Sequence, residues 1–328
     1  MRFNPVCTLL LVCALTSACA KSTTTAEVKK NNDTPPPATA TSAQNQTGKV
    51  EQELEQRLKS ICDGAQGTVG LSVIHIESGK TISINGNSQL PLYSVYKLPL
   101  AITVLKDIEE NRLRLDQKVH VTPAEVVQGT LGNTALWRKP TDVTVEQLID
   151  FAISRSDNTS ADKLVELAGG PLKVTERMRA LGFQNFDIHV SSGEFVKTRK
   201  NPNTGAADDL AKLLAQLQQG KILQTLGANL LIRFMEQGTI GLHRLRGNLP
   251  RGTRVADKTG SGETDAVTQT AKVTNDVGII TLPSGRGHLA IAVLVSGSKL
   301  ADAAQEKLIA EVGRAAYDAY STERPKDY

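Results

Sequence analysis

The chain contains a serine and a lysine whose spacing suits nucleophilic catalysis. Ser94 and Lys97 stand at the start of a segment with a helical apolar pattern, and residues three positions apart share a helix face. If that helix start is buried, loss of hydration lowers the lysine pKa, and the neutral amine can then accept the serine proton. The same spacing recurs at 160–163 and 296–299. The pair alone is therefore a weak indication of an active site.

Two other short motifs occur once each, and each has an ordinary structural explanation. Ser-Asp-Asn at 156–158 precedes a helical segment, and all three residue types favour helix caps. Lys-Thr-Gly at 258–260 lies at the end of the β-rich segment 253–258, where a strand would place a lysine and a hydroxyl at a sheet edge. A cap and a strand end explain these motifs when they are taken singly.

Taken together and in this order, the three motifs resemble the signature of the class A serine β-lactamases. Ser94 and Ser156 are 62 positions apart, and Ser156 and Lys258 are 102 apart, spacings similar to those of the family. The resemblance covers about 50 to 320, and segment 274–280 is similar to a subgroup with extended-spectrum members. It implies an enzyme that hydrolyses small-molecule β-lactams through an acyl-enzyme, without a cofactor or a metal.

The resemblance also implies roles for individual residues. Ser94 would be the nucleophile, Lys97 its proton partner, and Ser156 the donor of a proton to the departing lactam nitrogen. Asn158 would hold the side-chain amide of the substrate.

The remaining implied roles fall on the third motif. Lys258, Thr259 and Ser261 would bind the substrate carboxylate, an assignment that the lysine charge supports. The backbone N–H groups of Ser94 and Ser261 would form the oxyanion hole of the tetrahedral intermediate.

Hydrolysis of the acyl-enzyme requires a group that activates water, and the family carries a glutamate for this purpose on a loop after the Ser-Asp-Asn motif. Glu194 lies 38 positions after Ser156 and aligns best with that glutamate, while Asp187 is the other acidic residue of the loop. The usual Glu-x-x-x-Asn pattern is broken, because position 198 is a threonine. We expect Glu194 to be the deacylating base.

The elements that must position these residues follow from hydrophobic periodicity. The pattern predicts an amphipathic helix at 49–62, a hairpin of strands at 68–76 and 80–84, and mainly helical structure from 94 to about 236. Within it, Thr144 and Gln147 form a predicted capping box. The strands predicted after that region are 253–258, 270–273, 276–282 and 288–296, followed by a helix at 301–320.

This order predicts an α+β (mixed α/β) fold in which an antiparallel sheet is flanked by the two terminal helices and accompanied by an inserted all-α domain. We expect the sheet part to comprise 49–90 and 240–328, and the helical part to comprise 91–239. Trp137, the single tryptophan, is expected in the core, and Cys62 is expected to be a buried apolar residue.

The first 48 residues indicate export. Arg2, an apolar run at 6–15 and small residues at 16–20 form a secretory signal. Ordinary cleavage after residue 20 and lipoprotein processing before Cys19 both fit, and we favour lipidation of Cys19. The Ser, Thr and Pro-rich stretch 21–48 is predicted to be a disordered tether for a lipid-anchored domain of the periplasm or cell envelope.

Composition and residue spacing disfavour two kinds of partner. The 38 Lys and Arg residues alternate with 34 Asp and Glu residues, which disfavours nucleic-acid binding. The five histidines are at least 45 positions apart, which disfavours a local metal site. We expect a monomer that meets the membrane only through its N-terminal anchor.

Two other functions share most of these residues. A cell-wall DD-peptidase that binds penicillins would use Ser94, Lys97, Ser156 and Lys258 without a deacylating glutamate, and a β-lactam sensor would be acylated without turnover. A short polar tail at 321–328 after the last predicted helix favours the hydrolase.

Overall fold

The secondary structure is seen in a computed structural model that describes residues 40–128, 135–263 and 272–322, with side chains from residue 49 onward. The α-helices are α1 (Ala40–Asp63), α2 (Lys97–Glu109), α3 (Val145–Ser154), α4 (Asn158–Leu167), α5 (Pro171–Ala180), α6 (Ser192–Thr198), α7 (Ala207–Gln218), α8 (Thr225–Glu236) and α9 (Asp302–Ser321). The strands are β1 (Thr68–His75), β2 (Lys80–Ile84), β3 (Leu90–Pro91), β4 (Lys118–Val121), β5 (Thr141–Thr144), β6 (Phe186–Asp187), β7 (Thr204–Gly205), β8 (Val255–Gly262), β9 (Val273–Thr281) and β10 (His288–Ser296).

Five of these strands form the main sheet, in the order β2-β1-β10-β9-β8, and every neighbouring pair is antiparallel. The predicted hairpin is confirmed as β1 and β2. Strand β8, which carries the Lys-Thr-Gly motif, lies at one edge of the sheet. Among the described strands, β8 therefore pairs on one side only, with β9.

The predicted boundary between strands at 270–273 and 276–282 was wrong. Within the described residues β9 runs without interruption from Val273 to Thr281, and positions 270 and 271 lie outside them. The prediction left residues 274 and 275 between two strands, but the side chains of Thr274, Asn275 and Asp276 are buried. Asn275 Nδ2 donates to Pro91 O at 2.8 Å, and Asp276 accepts from the backbone N–H of Leu245 at 3.0 Å.

The two faces of the sheet belong to two different hydrophobic clusters. Alternate residues of β10 point to opposite faces. The cluster on one face contains buried residues of α1 and α9 together with Leu289, Ile291, Val293 and Val295. The cluster on the other face contains buried residues of α2, α3 and α7 together with Ala290, Ala292 and Leu294. The predicted antiparallel sheet flanked by the terminal helices is confirmed.

Helices α2 to α8 all lie between β2 and β8 in the chain, as the expected insertion requires. The insertion is not wholly α-helical, which corrects that part of the prediction. Strands β4 and β5 pair with each other, and β3, β7 and β6 form a small sheet. Strand β4 alternates polar and apolar residues at 118–121, a pattern of period two that favours a strand.

Helix α1 begins at Ala40 rather than at residue 49, so it enters the stretch predicted as a tether. No proline interrupts the chain between the prolines at 35–37 and Pro91. A helix that has formed can therefore extend toward the N-terminus, because each added residue gains one hydrogen bond. Among the described residues, no helix is sufficiently long and apolar to cross a bilayer.

Three smaller predictions are confirmed. Gln147 N donates to Thr144 Oγ1 at 3.1 Å, and Thr144 N donates back to Gln147 Oε1 at 2.8 Å, which completes the capping box of α3. Trp137 is buried in the core and packs edge-on to Phe151. Cys62 is buried, and burial raises the pKa of its thiol to about 11.

Candidate active site

Ser94 lies in a single 3-10 turn, Tyr93–Tyr96, that leads directly into α2. Lys97 is the first residue of α2, and its side chain is fully buried. Its Nζ donates to Ser94 Oγ at 3.1 Å. The helix start is therefore buried. Burial at this point is what the sequence analysis required for Lys97 to accept the proton of Ser94.

The amine of Lys97 also reaches the Ser-Asp-Asn motif. It lies 2.7 Å from Ser156 O, 3.2 Å from Ser156 Oγ and 2.7 Å from Asn158 Oδ1. Burial and the neighbouring charge of Lys258 hold the pKa of Lys97 well below its ordinary value, against the opposing charges of Asp157 and Asp162. The neutral amine is thus favoured at the position where a base for Ser94 is needed.

The Ser-Asp-Asn motif is both a helix cap and part of the site. Asp157 accepts from the backbone N–H of Ser160 at 2.6 Å at the start of α4, and the indole Nε1 of Trp137 lies 3.3 Å from its other oxygen. Ser156 just before it has a left-handed backbone with φ of 55°, a conformation that costs energy for a non-glycine residue. This sharp turn places Ser156 Oγ in contact with two lysines.

Lys258 is the second of these lysines. Its Nζ donates to Ser156 Oγ at 3.1 Å and to Thr259 O at 2.9 Å, and the side chain is buried. Burial lowers the pKa of Lys258 to about 8, although the charges of Asp257 and Asp276 oppose the shift. The ammonium form therefore predominates at neutral pH.

Two glycines allow the edge strand β8 to lie directly against the turn that carries Ser94. A Cβ at Gly260 would lie 2.4 Å from Leu92 O, and one at Gly262 would lie 2.0 Å from the Tyr93 ring. Neither distance is possible for a real side chain. This contact brings Ser261 to the same cleft as Ser94.

Sequence reasoning missed Arg244, which braces this edge of the site. Its guanidinium donates to Ser261 Oγ at 2.7 Å, to Gly260 O at 3.2 Å and to Asn275 O at 2.8 Å, and its Nε faces Glu306. Arg244 lies in the loop between α8 and β8, where an isolated arginine gives no signal in a single sequence. It adds a buried positive charge beside Lys258.

These elements enclose a cleft of about 590 Å³, a volume that suits a small molecule. The residues that line it are Tyr93, Ser94, Tyr96, Gln128, Asn158, Ser191, Ser192, Phe195, Val196, Arg199, Pro202, Asn203, Ser261, Gly262 and Glu263. The structure thus gathers Ser94, Asn158 and Ser261 at the cleft surface, with Lys97, Ser156, Lys258 and Thr259 buried behind them.

Glu194 is not brought into this group. It lies in the first turn of α6, with Ser191 as the capping residue, and its side chain is exposed. Neither Glu194 nor Asp187, which is also exposed, is among the residues that line the cleft. The helix cap at Ser191 fixes this outcome, because it turns Ser192 toward the cleft and the third helical position toward solvent.

The loop before α6 is held by Asp162, which sequence reasoning also missed. Asp162 accepts hydrogen bonds from Ser192 N at 2.7 Å, Gly193 N at 2.8 Å and Ser191 Oγ at 3.1 Å. Burial raises the pKa of this carboxyl despite those donors. On the other side of the loop, the Tyr96 hydroxyl and Ser192 Oγ share a buried hydrogen bond of 2.7 Å.

Comparison with known proteins identifies the family. Residues 53–320 match the model of the β-lactamase enzyme family. The chain belongs to the class A serine β-lactamases. It is 34% identical over 268 residues to the extended-spectrum β-lactamase PER-1 of Pseudomonas aeruginosa, covering 80% of this chain and 86% of that protein. The β-lactamase VEB-1 of Pseudomonas aeruginosa is 30% identical, with 81% and 90% of the two chains covered.

Solved structures of β-lactamases support the assignment of the chain to this family. A β-lactamase from Chitinophaga pinensis superposes with a TM-score of 0.78 at 34% identity, over 81% of this chain and 99% of that one. The TLA-1 extended-spectrum β-lactamase gives a TM-score of 0.78 at 31% identity, over 83% and 99%. The resemblance on which the sequence analysis rested is confirmed.

Proposed function

We propose that the chain is a serine β-lactamase that opens the lactam ring through an acyl-enzyme on Ser94, and that it thereby confers resistance to β-lactam antibiotics. The observation that carries this proposal is the buried amine of Lys97, 3.1 Å from Ser94 Oγ and 3.2 Å from Ser156 Oγ. Relatives named as extended-spectrum β-lactamases support the same substrate class.

Acylation begins when neutral Lys97 takes the proton of Ser94 as Oγ attacks the lactam carbonyl. The backbone N–H groups of Ser94 and Ser261 stabilise the oxyanion, which is the task of a preorganised pair of donors. The C–N bond of the ring then breaks, and Ser156 passes its proton to the departing nitrogen. Ser156 recovers a proton from Lys97, 3.2 Å away, so that the amine is neutral again in the acyl-enzyme.

Substrate binding uses the positive side of the cleft. Lys258, Thr259 and Ser261 receive the carboxylate that β-lactams carry, and Arg244 adds charge at 2.7 Å from Ser261 Oγ. Asn158 lines the cleft beside Ser94 and offers its amide to the side-chain amide of the substrate. The site requires neither a cofactor nor a metal for these steps.

The test is covalent labelling and turnover of wild type and Ser94→Ala with a penicillin. Wild type should gain the mass of one penicillin on Ser94 and release the opened product, whereas Ser94→Ala should do neither. Loss of a nucleophile removes many powers of ten in rate, far more than a stability effect of one partly exposed serine. An adduct on another residue, or normal turnover by the alanine variant, contradicts the proposal.

The same experiment separates the alternative functions. A DD-peptidase would also release the terminal residue of a D-alanyl-D-alanine peptide, and a sensor would keep its adduct without any release.

For location, we propose a monomer exported to the periplasm or cell envelope and anchored through a lipid on Cys19. The N-terminal sequence supports this location, and residues 1–39 lie outside the described part of the chain.

A further inference from the structure

The described lining of the cleft offers almost no carboxylate to a hydrolytic water. Glu263 is its one acidic residue among those that the structure describes, and Glu263 is exposed beyond the end of β8. Glu194, which the family resemblance selected as base, is exposed on α6 outside the lining. Among the described residues, no buried carboxylate lines the cleft, and deacylation there needs another proton acceptor.

Ser192, two positions before Glu194, does line the cleft. It is buried, lines the cleft together with Ser94, and is hydrogen-bonded to the Tyr96 hydroxyl at 2.7 Å. Tyr96 ends the 3-10 turn before α2, and this hydrogen bond places its hydroxyl between that turn and the loop. Both hydroxyls stay protonated at neutral pH, since the pKa of a phenol is about 10 and that of an aliphatic hydroxyl is higher still, so neither supplies a basic oxygen.

The two acids near Lys97, the buried Asp157 and the partly buried Asp162, already have hydrogen-bond partners. Both oxygens of Asp162 accept hydrogen bonds from the loop, at Ser192 N and Gly193 N. Both oxygens of Asp157 have partners as well, the backbone of α4 and the Trp137 indole. Protonation of either carboxylate would weaken the hydrogen bonds that it accepts, and these bonds hold the loop or the motif in place.

We propose that the acyl-enzyme on Ser94 is hydrolysed without a carboxylate base, by the amine of Lys97, and that this step limits turnover so that the adduct accumulates. This inference rests on the proposed function. The water oxygen bonds to the ester carbon while its proton passes to Lys97. The ester C–O bond then breaks, and Lys97 returns the proton to Ser94 Oγ, which restores the free enzyme.

The test is a gain of function. The double variant Tyr96→Phe/Ser192→Glu removes the hydroxyl that fills the space and places a carboxylate at the cleft. After a short pulse of penicillin and removal of the excess, intact-protein mass spectrometry follows the decay of the adduct. Wild type should be acylated almost completely and decay slowly, and the double variant should decay at least ~10²-fold faster, the lower range of general-base catalysis.

The matched control is Glu194→Gln, which changes the neighbouring exposed carboxylate and should decay like wild type. The pH dependence of the deacylation rate gives a second readout. In the double variant the pH below which this rate falls should move toward the ordinary pKa of glutamic acid, about 4.3, because the new carboxylate is then the base. Melting curves establish that the double variant is folded; if it is not, the wild-type lifetime and the Glu194→Gln result decide the question.

Two results would overturn the inference. One is wild-type turnover at a steady rate with no accumulating adduct, and the other is an adduct that persists at least tenfold longer in Glu194→Gln. Absence of any adduct and of any hydrolysis in wild type would instead refute the proposed function. The two failures are thus distinguishable in one data set.

Discussion

At the scale of single residues, the site depends on two buried lysines that share one hydroxyl. Ser156 Oγ accepts from Lys97 at 3.2 Å and from Lys258 at 3.1 Å. Burial and the charge of Lys258 lower the pKa of Lys97, while Asp257 and Asp276 partly counteract the effect of burial on the pKa of Lys258. The shift of the Lys97 pKa favours its neutral amine, which suits the proposed base, while a pKa of about 8 leaves Lys258 mainly charged, which suits the proposed binding of an anion.

This division of charge predicts the pH dependence of acylation. Because the pKa of Lys258 is lowered to about 8, its charge is present below that pH and is lost above it. The second-order rate of acylation by a penicillin should therefore fall above about pH 8, approaching tenfold per pH unit. The same penicillin with its carboxylate esterified is the control and should lack this alkaline limb. Parallel profiles for acid and ester would contradict the role of Lys258.

The catalytic pair could be predicted from sequence only with the help of the other motifs. Ser160 and Lys163 have the same spacing on α4, but the structure pairs the buried Lys163 with Glu166 and Glu125. Ser296 ends β10 rather than beginning a helix. The sequence pattern reports spacing along the chain, whereas activation depends on which charges surround the amine after folding. Glu194 shows the same limit, because a helix cap decides which loop residue faces the cleft.

At the scale of elements, the site is a seam between strand β8 and the 3-10 turn Tyr93–Tyr96. Gly260 and Gly262 allow that contact, and Arg244 ties Gly260 O to β9 through Asn275 O. The strand could be predicted from its β-rich pattern, but its length could not, because the Lys-Thr-Gly motif resembles a strand end. The prediction divided strand β9 at residues 274 and 275, because polar residues in a sequence give no sign of the buried partners that they have after folding.

The seam predicts a large effect of Gly260→Ala. Its Cβ would lie 2.4 Å from Leu92 O and 3.1 Å from Val95 Cγ2, so β8 must move away from the turn. Overpacking of this kind costs about 1–3 kcal/mol. We expect Tm to fall by several degrees and acylation to slow by at least roughly tenfold, because a misplaced oxyanion donor costs up to 10²–10³ in rate.

The control for this change is Gly227→Ala in α8. Its nearest neighbour would be Glu109 Oε1 at 3.4 Å, an ordinary contact. Alanine in a helix should leave Tm unchanged or raise it slightly. Calorimetry and stopped-flow acylation measure both variants, and a Gly260→Ala protein with normal Tm and rate would show that the seam tolerates a side chain.

At the scale of the whole molecule, one sheet serves two cores. One face of the sheet packs against the terminal helices α1 and α9. The other face packs against the inserted helices, which lie next to Ser94 and Ser156 in the chain. This arrangement could be predicted from the order of periodic segments, because strands at both ends of the chain must pair when helices occupy the middle. The two-residue strands β3, β6 and β7 inside the insertion could not, since so short a strand leaves no periodicity.

The last prediction concerns the attachment of the whole molecule to the cell. Of four cysteines, Cys19 lies at the end of the signal and Cys62 is buried in the folded domain. If lipidation of Cys19 holds the enzyme, wild type should sediment with membranes and require detergent for release, because an acylated N-terminus with two or more chains binds bilayers stably. Cys19→Ser should appear in the soluble fraction with unchanged turnover of penicillin. Cys62→Ser is the control and should stay with the membranes, since a buried thiol at a domain core receives no lipid. Fractionation with an activity assay and N-terminal sequencing decides the matter: a soluble wild-type enzyme that begins at Lys21 would establish ordinary cleavage after Ala20 and remove the anchor.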